Sequence, residues 1–292
     1  DGGHVYAAGV GIMVAENHHN LISHNEVHDF NYSGMSIGWN WGNEDNRCNH
    51  NVIEYNHVHH VMNGQLNDGG AIYTLGTSPG SIIRNNVFHD VWPHDKYGWG
   101  IYLDSRTNNY LVENNIVYNV NNGGLMKNNG GHDNVIRNNI FAFSAREMLW
   151  FYWHQKQPNT FDRNIVYFTQ GVLFIPKWAG KLDYRIGDGE LLDTWDHNVY
   201  WNPANPDIRF FARDFSQWQV MGLDRNSVIA DPLFVDADAY EFRLKSGSAA
   251  LRLGFKPIDT SKVGLYGDPK WIAEGRNVKH PPNSVVVVDR GR

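Results

Sequence analysis

Asp104 ends the segment Trp99-Gly100-Ile101-Tyr102-Leu103-Asp104, with Tyr102 two residues before it. If the segment is a strand, residues two apart share a face, so carboxylate and phenol project together. Sugars have apolar ring faces and many hydroxyls, and aromatic platforms beside carboxylates suit them. Trp39, Trp41, Trp92, Trp99, Trp150 and Trp153 fall in the same stretch, as does Tyr73. Taken from the residues alone, Asp104 is equally a turn cap before Ser105-Arg106-Thr107-Asn108. Asp68 precedes Gly69-Gly70, and Asp-Gly is in the first place a turn signal.

Other residues allow other chemistry. Lys127, Arg106 and His154 offer the base and cations of a polysaccharide lyase, which removes a proton next to a carboxylate. Solvated charges at strand ends are the plainer account of each. The many histidines include His28, His59 and His89, which recur at a fixed spacing and read as a stacked structural column. No compact motif such as His-Glu-x-x-His is present, so no metal and no cofactor is expected. Calcium on Asp- and Asn-rich turns is the one weak exception. Cys48 stands alone, which excludes an intrachain disulfide and a cysteine-based zinc site.

Composition narrows the function classes. The chain has 292 residues and a net charge of −6, which disfavours nucleic-acid binding. Hydrophobic residues make up 41%, enough for a core, and no run of about 18 apolar residues crosses a membrane. The chain opens on Asp1, so a processed or partial chain is expected, secreted or periplasmic.

What positions the candidate residues is a repeat. Apolar, apolar, polar, any, Asn recurs as Leu21-Ile22-Ser23-His24-Asn25, Val52-Ile53-Glu54-Tyr55-Asn56 and Ile82-Ile83-Arg84-Asn85-Asn86. It continues to Asn115, Asn139, Asn164 and Asn198, at gaps of 24 to 34 residues. Ile72, Ile101 and Leu125 each lie fourteen residues before an Asn of this series and begin a second strand. Short β-rich runs recurring once per repeat predict a single-domain, all-β, right-handed parallel β-helix, whose coils bury a shared core by stacking. The recurring Asn fits a corner, tolerating left-handed geometry and forming an amide ladder. Residues 1–202 are expected as coils, 203–275 as a C-terminal cap with closing strands and a short helix near Ser216 to Gly222, and 276–292 as a tail.

Several segments resemble bacterial parallel β-helix proteins related to glycoside hydrolase family 141. They are Ser33-Gly34-Met35-Ser36-Ile37-Gly38-Trp39, Asn67-Asp68-Gly69-Gly70-Ala71-Ile72-Tyr73, Trp99 to Asp104, and Asp231-Pro232-Leu233-Phe234-Val235-Asp236. The resemblance implies secreted enzymes that cut glycosidic bonds, fucosidases and xylanases among them, with acids matching Asp68 and Asp104. The sequence departs from the group at Ser105, where relatives carry a second acid, and at Leu125-Met126-Lys127-Asn128, where relatives often have a histidine.

With Ile72, Ile101 and Leu125 inward, Thr74, Leu103 and Lys127 share their parity, while Tyr73, Tyr102 and Met126 stack outward. The expected substrate-binding surface is Trp39, Tyr73, Trp99, Tyr102, Lys127, Trp150 and His154. Its ligand is a carbohydrate, either hydrolysed, cleaved by elimination or merely bound. A straight strand would hold Asp68 and Asp104 roughly 20 Å apart. The pair meets only if Gly69-Gly70 bulges and folds Asp68 back over the face.

Overall fold

The computed structural model describes residues 2–41, 47–127, 130–151, 158–175 and 193–280. Each turn of the chain lays down three short strands, and each pairs in parallel with its equivalent one coil later. The first sheet stacks Ile12–Ala15, Met35–Gly38, Gly69–Thr74, Gly98–Leu103, Leu125–Lys127, Glu147–Phe151 and Val172–Phe174. The second runs from Leu21–Ser23 to Thr194–Asp196, and the third from Glu26–Phe30 to Val228–Ile229. This is the right-handed parallel β-helix expected from the repeat.

The core is a set of columns down the solenoid axis. Ile72, Ile101, Leu125 and Leu149 align from the first sheet. Ile53, Ile83, Val112 and Ile136 align from the second, and Val58, Phe88, Val117 and Phe141 from the third. All are buried in one continuous cluster. No coil could bury these side chains alone, so stability resides in the contacts between coils.

The Asn series forms the corner between the second and third sheets. The Asn86 amide nitrogens, backbone and side-chain, both donate to Asn115 Oδ1, at 3.1 and 3.0 Å, and Nδ2 also reaches Ile53 O at 3.0 Å. The same pattern repeats at Asn115 and Asn139. One expectation changes here. The left-handed residue is the one before each Asn: His24, Tyr55, Asn85, Asn114, Asn138, Arg163 and His197 have φ between 53° and 56°. The Asn itself is the hydrogen-bonding post around which that bend turns. A second ladder, five residues upstream, links Asn20 to Asn51 and Asn134 to Asn159 and Asp193.

The last part of the chain does two things. Ile208, Phe210, Phe211 and Trp218 close the end of the interior core, with Trp218 on the helix Phe215–Val220. Buried Asp224 ties this end together, accepting bonds from Asn198 Nδ2, Trp218 Nε1 and Tyr200 Oη. The chain then folds back along the outside of the third sheet. Phe234, Phe242 and Phe255 cover Ile116, Ile140 and Ile165. Further on, Gly264 N bonds Tyr55 O, and His280 reaches Asp29 near the N-terminal end. The segment expected as one cap therefore divides into an end plug and a strap.

Candidate functional site

The strands Gly69–Thr74 and Gly98–Leu103 run in register, which sets Tyr73 beside Tyr102. Their rings stack with centroids 4.5 Å apart and planes 20° from parallel. Alternation sends both outward from the coil interior, where they join Leu75, Trp99, Met126 and Trp150 in a separate apolar cluster. Trp39, Tyr97 and Ile175 pack against it.

The phenols organise the two acids. Tyr73 Oη donates to Asp104 Oδ2 at 2.5 Å, and Tyr102 Oη donates to Asp68 Oδ1 at 3.0 Å. The bonds cross, since each phenol serves the carboxylate carried by the neighbouring coil. The expected glycine bulge is not how this happens, because Gly69 and Gly70 sit in register with Gly98 and Trp99. A left-handed turn at Asp68, φ +63°, breaks the straight run instead, and the length of the tyrosines spans the rest. Gly70 is required for close approach, since a Cβ there would lie 2.7 Å from Trp99 O. The ring stack and its two bonds link the two carboxylates through Tyr73 and Tyr102 on one face of the solenoid.

The acids sit in unequal surroundings. Asp104 is 3% exposed, with Ser105 Oγ 3.4 Å from its second oxygen. Asp68 is open to solvent on one side. Burial of its other side raises its pKa; the bond from Tyr102 pulls it down, and the Asp104 charge pushes it up again. Burial, reinforced by the two carboxylates, drives Tyr73 and Tyr102 well above the ordinary phenol range, so both stay donors. Tyr32 is pushed up to about 12 by burial and by the same charges, and its hydroxyl donates to Asp68 O at 2.7 Å. Sequence reading passed over Tyr32 because it lies in a turn. A signal was present: Tyr32 and Asp68 each stand two residues before glycines, Gly34 and Gly70, that pair across coils.

The expected sugar platform is altered in detail. Tyr73, Tyr102 and Trp99 are 2–3% exposed and Trp150 is also buried, so these rings build the wall and do not present open faces. Trp39 is half-buried, bonded through Nε1 to Ser36 Oγ at 3.0 Å, and packs edge-on with Trp41, which is 57% exposed. Lys127 does not face this surface. It keeps the inward parity of Leu103 and Phe151 and is 1% exposed, and burial lowers its pKa against the pull of Asp193. His154 and Trp153 lie outside the described residues.

On the third sheet, His28, His59 and His89 stack as the expected column, with ring centroids 5.4 and 4.9 Å apart. Burial holds His59 down to about 3 and His89 down to about 4.

Residues 2–166 match the family model described as a right-handed β-helix region. A solved structure titled "Glycoside hydrolase" is 26% identical over 46% of this chain and 22% of its own length, with a TM-score of 0.40. No curated protein matches the chain.

Proposed function

The chain belongs to the right-handed β-helix family, and from that premise we propose that it is a glycoside hydrolase acting through Asp68 and Asp104. The observation that carries this reading is the crossed pair of phenol–carboxylate bonds, which brings two acids from different coils onto one face. Asp68, solvent-open and with a raised pKa, is the general acid that protonates the glycosidic oxygen. Asp104, accepting the short bond from Tyr73, is the carboxylate that attacks the anomeric carbon or activates water. Trp39 and Trp41 supply ring surface for a plant or microbial glycan. The likeness of Trp99 to Asp104 and Asp231 to Asp236 to glycoside hydrolase family 141 points the same way. A polymeric glycan as substrate places the protein outside the cell or in the periplasm.

One observation favours a second reading. Asp104 is enclosed, so hydrolysis requires its cover to part when substrate binds. In a non-catalytic carbohydrate-binding solenoid the same network would merely hold the face in shape. A lyase is less well served, because Lys127 points into the interior and leaves Arg106 on the surface without it.

Incubation with a panel of glycans separates the three. A hydrolase releases reducing ends with no ultraviolet-absorbing product, a lyase product absorbs, and a binding solenoid shows affinity without turnover. In the hydrolase, Asp104→Asn abolishes turnover and keeps the fold, since Tyr73 can still donate to the amide oxygen. Substantial activity of this variant on a natural glycan ends the assignment.

A further inference from the structure

We propose that the outer face of the third sheet holds a divalent transition-metal ion, ligated by Glu26, His57 and His59. This face is distinct from the first sheet, which carries the acid pair. Glu26 and His57 are register partners on adjacent coils, and His59 lies two residues beyond His57, so all three project from one face. Their ligand atoms lie within 4.8 Å of one another. Glu26 Oε1 is 2.7 Å from His57 Nδ1 and 2.7 Å from His59 Nε2.

Counting protons shows what a cation would satisfy there. Three contacts run in series: Glu26 Oε1 to His57 Nδ1 at 2.7 Å, His57 Nε2 to His89 Nε2 at 2.7 Å, and His89 Nδ1 to Asp90 Oδ2 at 2.5 Å. Each contact needs one proton. Two neutral imidazoles bring two, and ionised carboxylates bring none. The series is one proton short, a deficit that either one imidazolium or a bound cation makes good.

A metal at the Glu26–His57–His59 junction replaces the missing proton. His57 then gives its Nδ1 lone pair to the ion, and its Nε2–H donates to His89. The His89 Nδ1–H donates to Asp90. His59 coordinates through Nε2 and donates Nδ1–H to His60 Nδ1, 2.8 Å away. All four imidazoles are neutral, and the acceptor behind each ligating ring fixes its tautomer, as around known metal sites.

Donor chemistry selects the ion. Two imidazoles and one carboxylate suit zinc and its first-row neighbours better than calcium or magnesium. Metal–ligand bonds near 2.0–2.1 Å require the 2.7 Å contacts to open to roughly 3.3 Å. Glu26 and His57 are both partly exposed and able to move. Three protein ligands leave a further position for water or another ligand. It faces a cavity of about 420 Å³ lined also by His60, His89, Arg276 and His280.

The test is titration of the chelator-treated full chain with zinc alone, by calorimetry, beside Glu26→Gln, His57→Gln and the distant surface control His132→Gln. The expected result is one equivalent bound by the parent chain and by the control. Affinity should fall at least about tenfold in each of the other two variants. Circular dichroism confirms that each variant is folded, and Glu26→Gln guards against loss of structure at His57. Absence of stoichiometric zinc binding by the parent chain overturns the proposal. So does unchanged affinity in both folded ligand variants, which would put the ion on another histidine group such as His59, His60 and His280.

Discussion

Tyr102 donates its hydroxyl to Asp68 across 3.0 Å, from one coil of the solenoid to its neighbour. This bond stabilises the ionised form of Asp68, while burial and the Asp104 charge oppose it. Asp68 is thus an acid whose proton affinity, raised first by burial, is drawn back by a residue 34 positions away.

Removing the donor should reveal this. In Tyr102→Phe the carboxylate loses a bond to its charged form, so its pKa rises. A general acid works while protonated, so the alkaline limb of the kcat/KM profile should move to higher pH. A profile that keeps its alkaline limb in place would remove Asp68 from the acid role.

Asp68 also links activity to stability. Its folded-state pKa is raised above the unfolded value, so the folded chain holds the proton more tightly. The stabilisation is fully present below the unfolded pKa and is lost as pH rises through the folded pKa. At neutral pH the ionised side chain is a burden on the fold. Asp68→Asn should therefore raise the melting temperature at pH 7, with the gain shrinking at acid pH, while turnover is lost. A lower melting temperature at pH 7 would contradict the desolvation argument.

Trp39→Ala should raise KM more than it lowers kcat. Trp39 lines the outer cluster and carries the exposed Trp41 edge-on, so it offers ring surface to substrate and transition state alike. Steady-state kinetics on any hydrolysed glycan checks this. A kcat loss with unchanged KM would give the ring a different part.

Asn86→Ala should destabilise the chain by about 1–3 kcal/mol for each buried group it leaves unpaired. Asn56, which donates to Asn86 Oδ1, and Ile53 O both lose a partner. Denaturant unfolding measures the cost. Melting indistinguishable from the parent chain would mean that the ladder contributes nothing.

The sequence by itself determined the solenoid. Coils stack one on the next, so the chain's contacts repeat with its period, and Asn25 to Asn198 record that period residue by residue. Alternation likewise put Ile72, Ile101 and Leu125 inside and Tyr73 and Tyr102 on the outer face. It gave Lys127 inward parity as well, but the charge argued for the binding surface, and the structure put the side chain inside. The second ladder, five residues before the first, was not read from the sequence, because its mixture of Asn, Ser, Tyr and Asp hides the period.

Only the tertiary structure decided the sites. Whether Asp68 meets Asp104 depends on the backbone turn at Asp68 and on how far two stacked tyrosines reach, and strand spacing encodes neither. The gathering of Glu26, His57 and His59 depends on two coils falling into register. The return of the strap depends on the apolar outer face of Ile116, Ile140 and Ile165, which gives Phe234, Phe242 and Phe255 a surface to cover. A period fixes which residues stack, whereas turn angles and side-chain length fix which of their atoms meet.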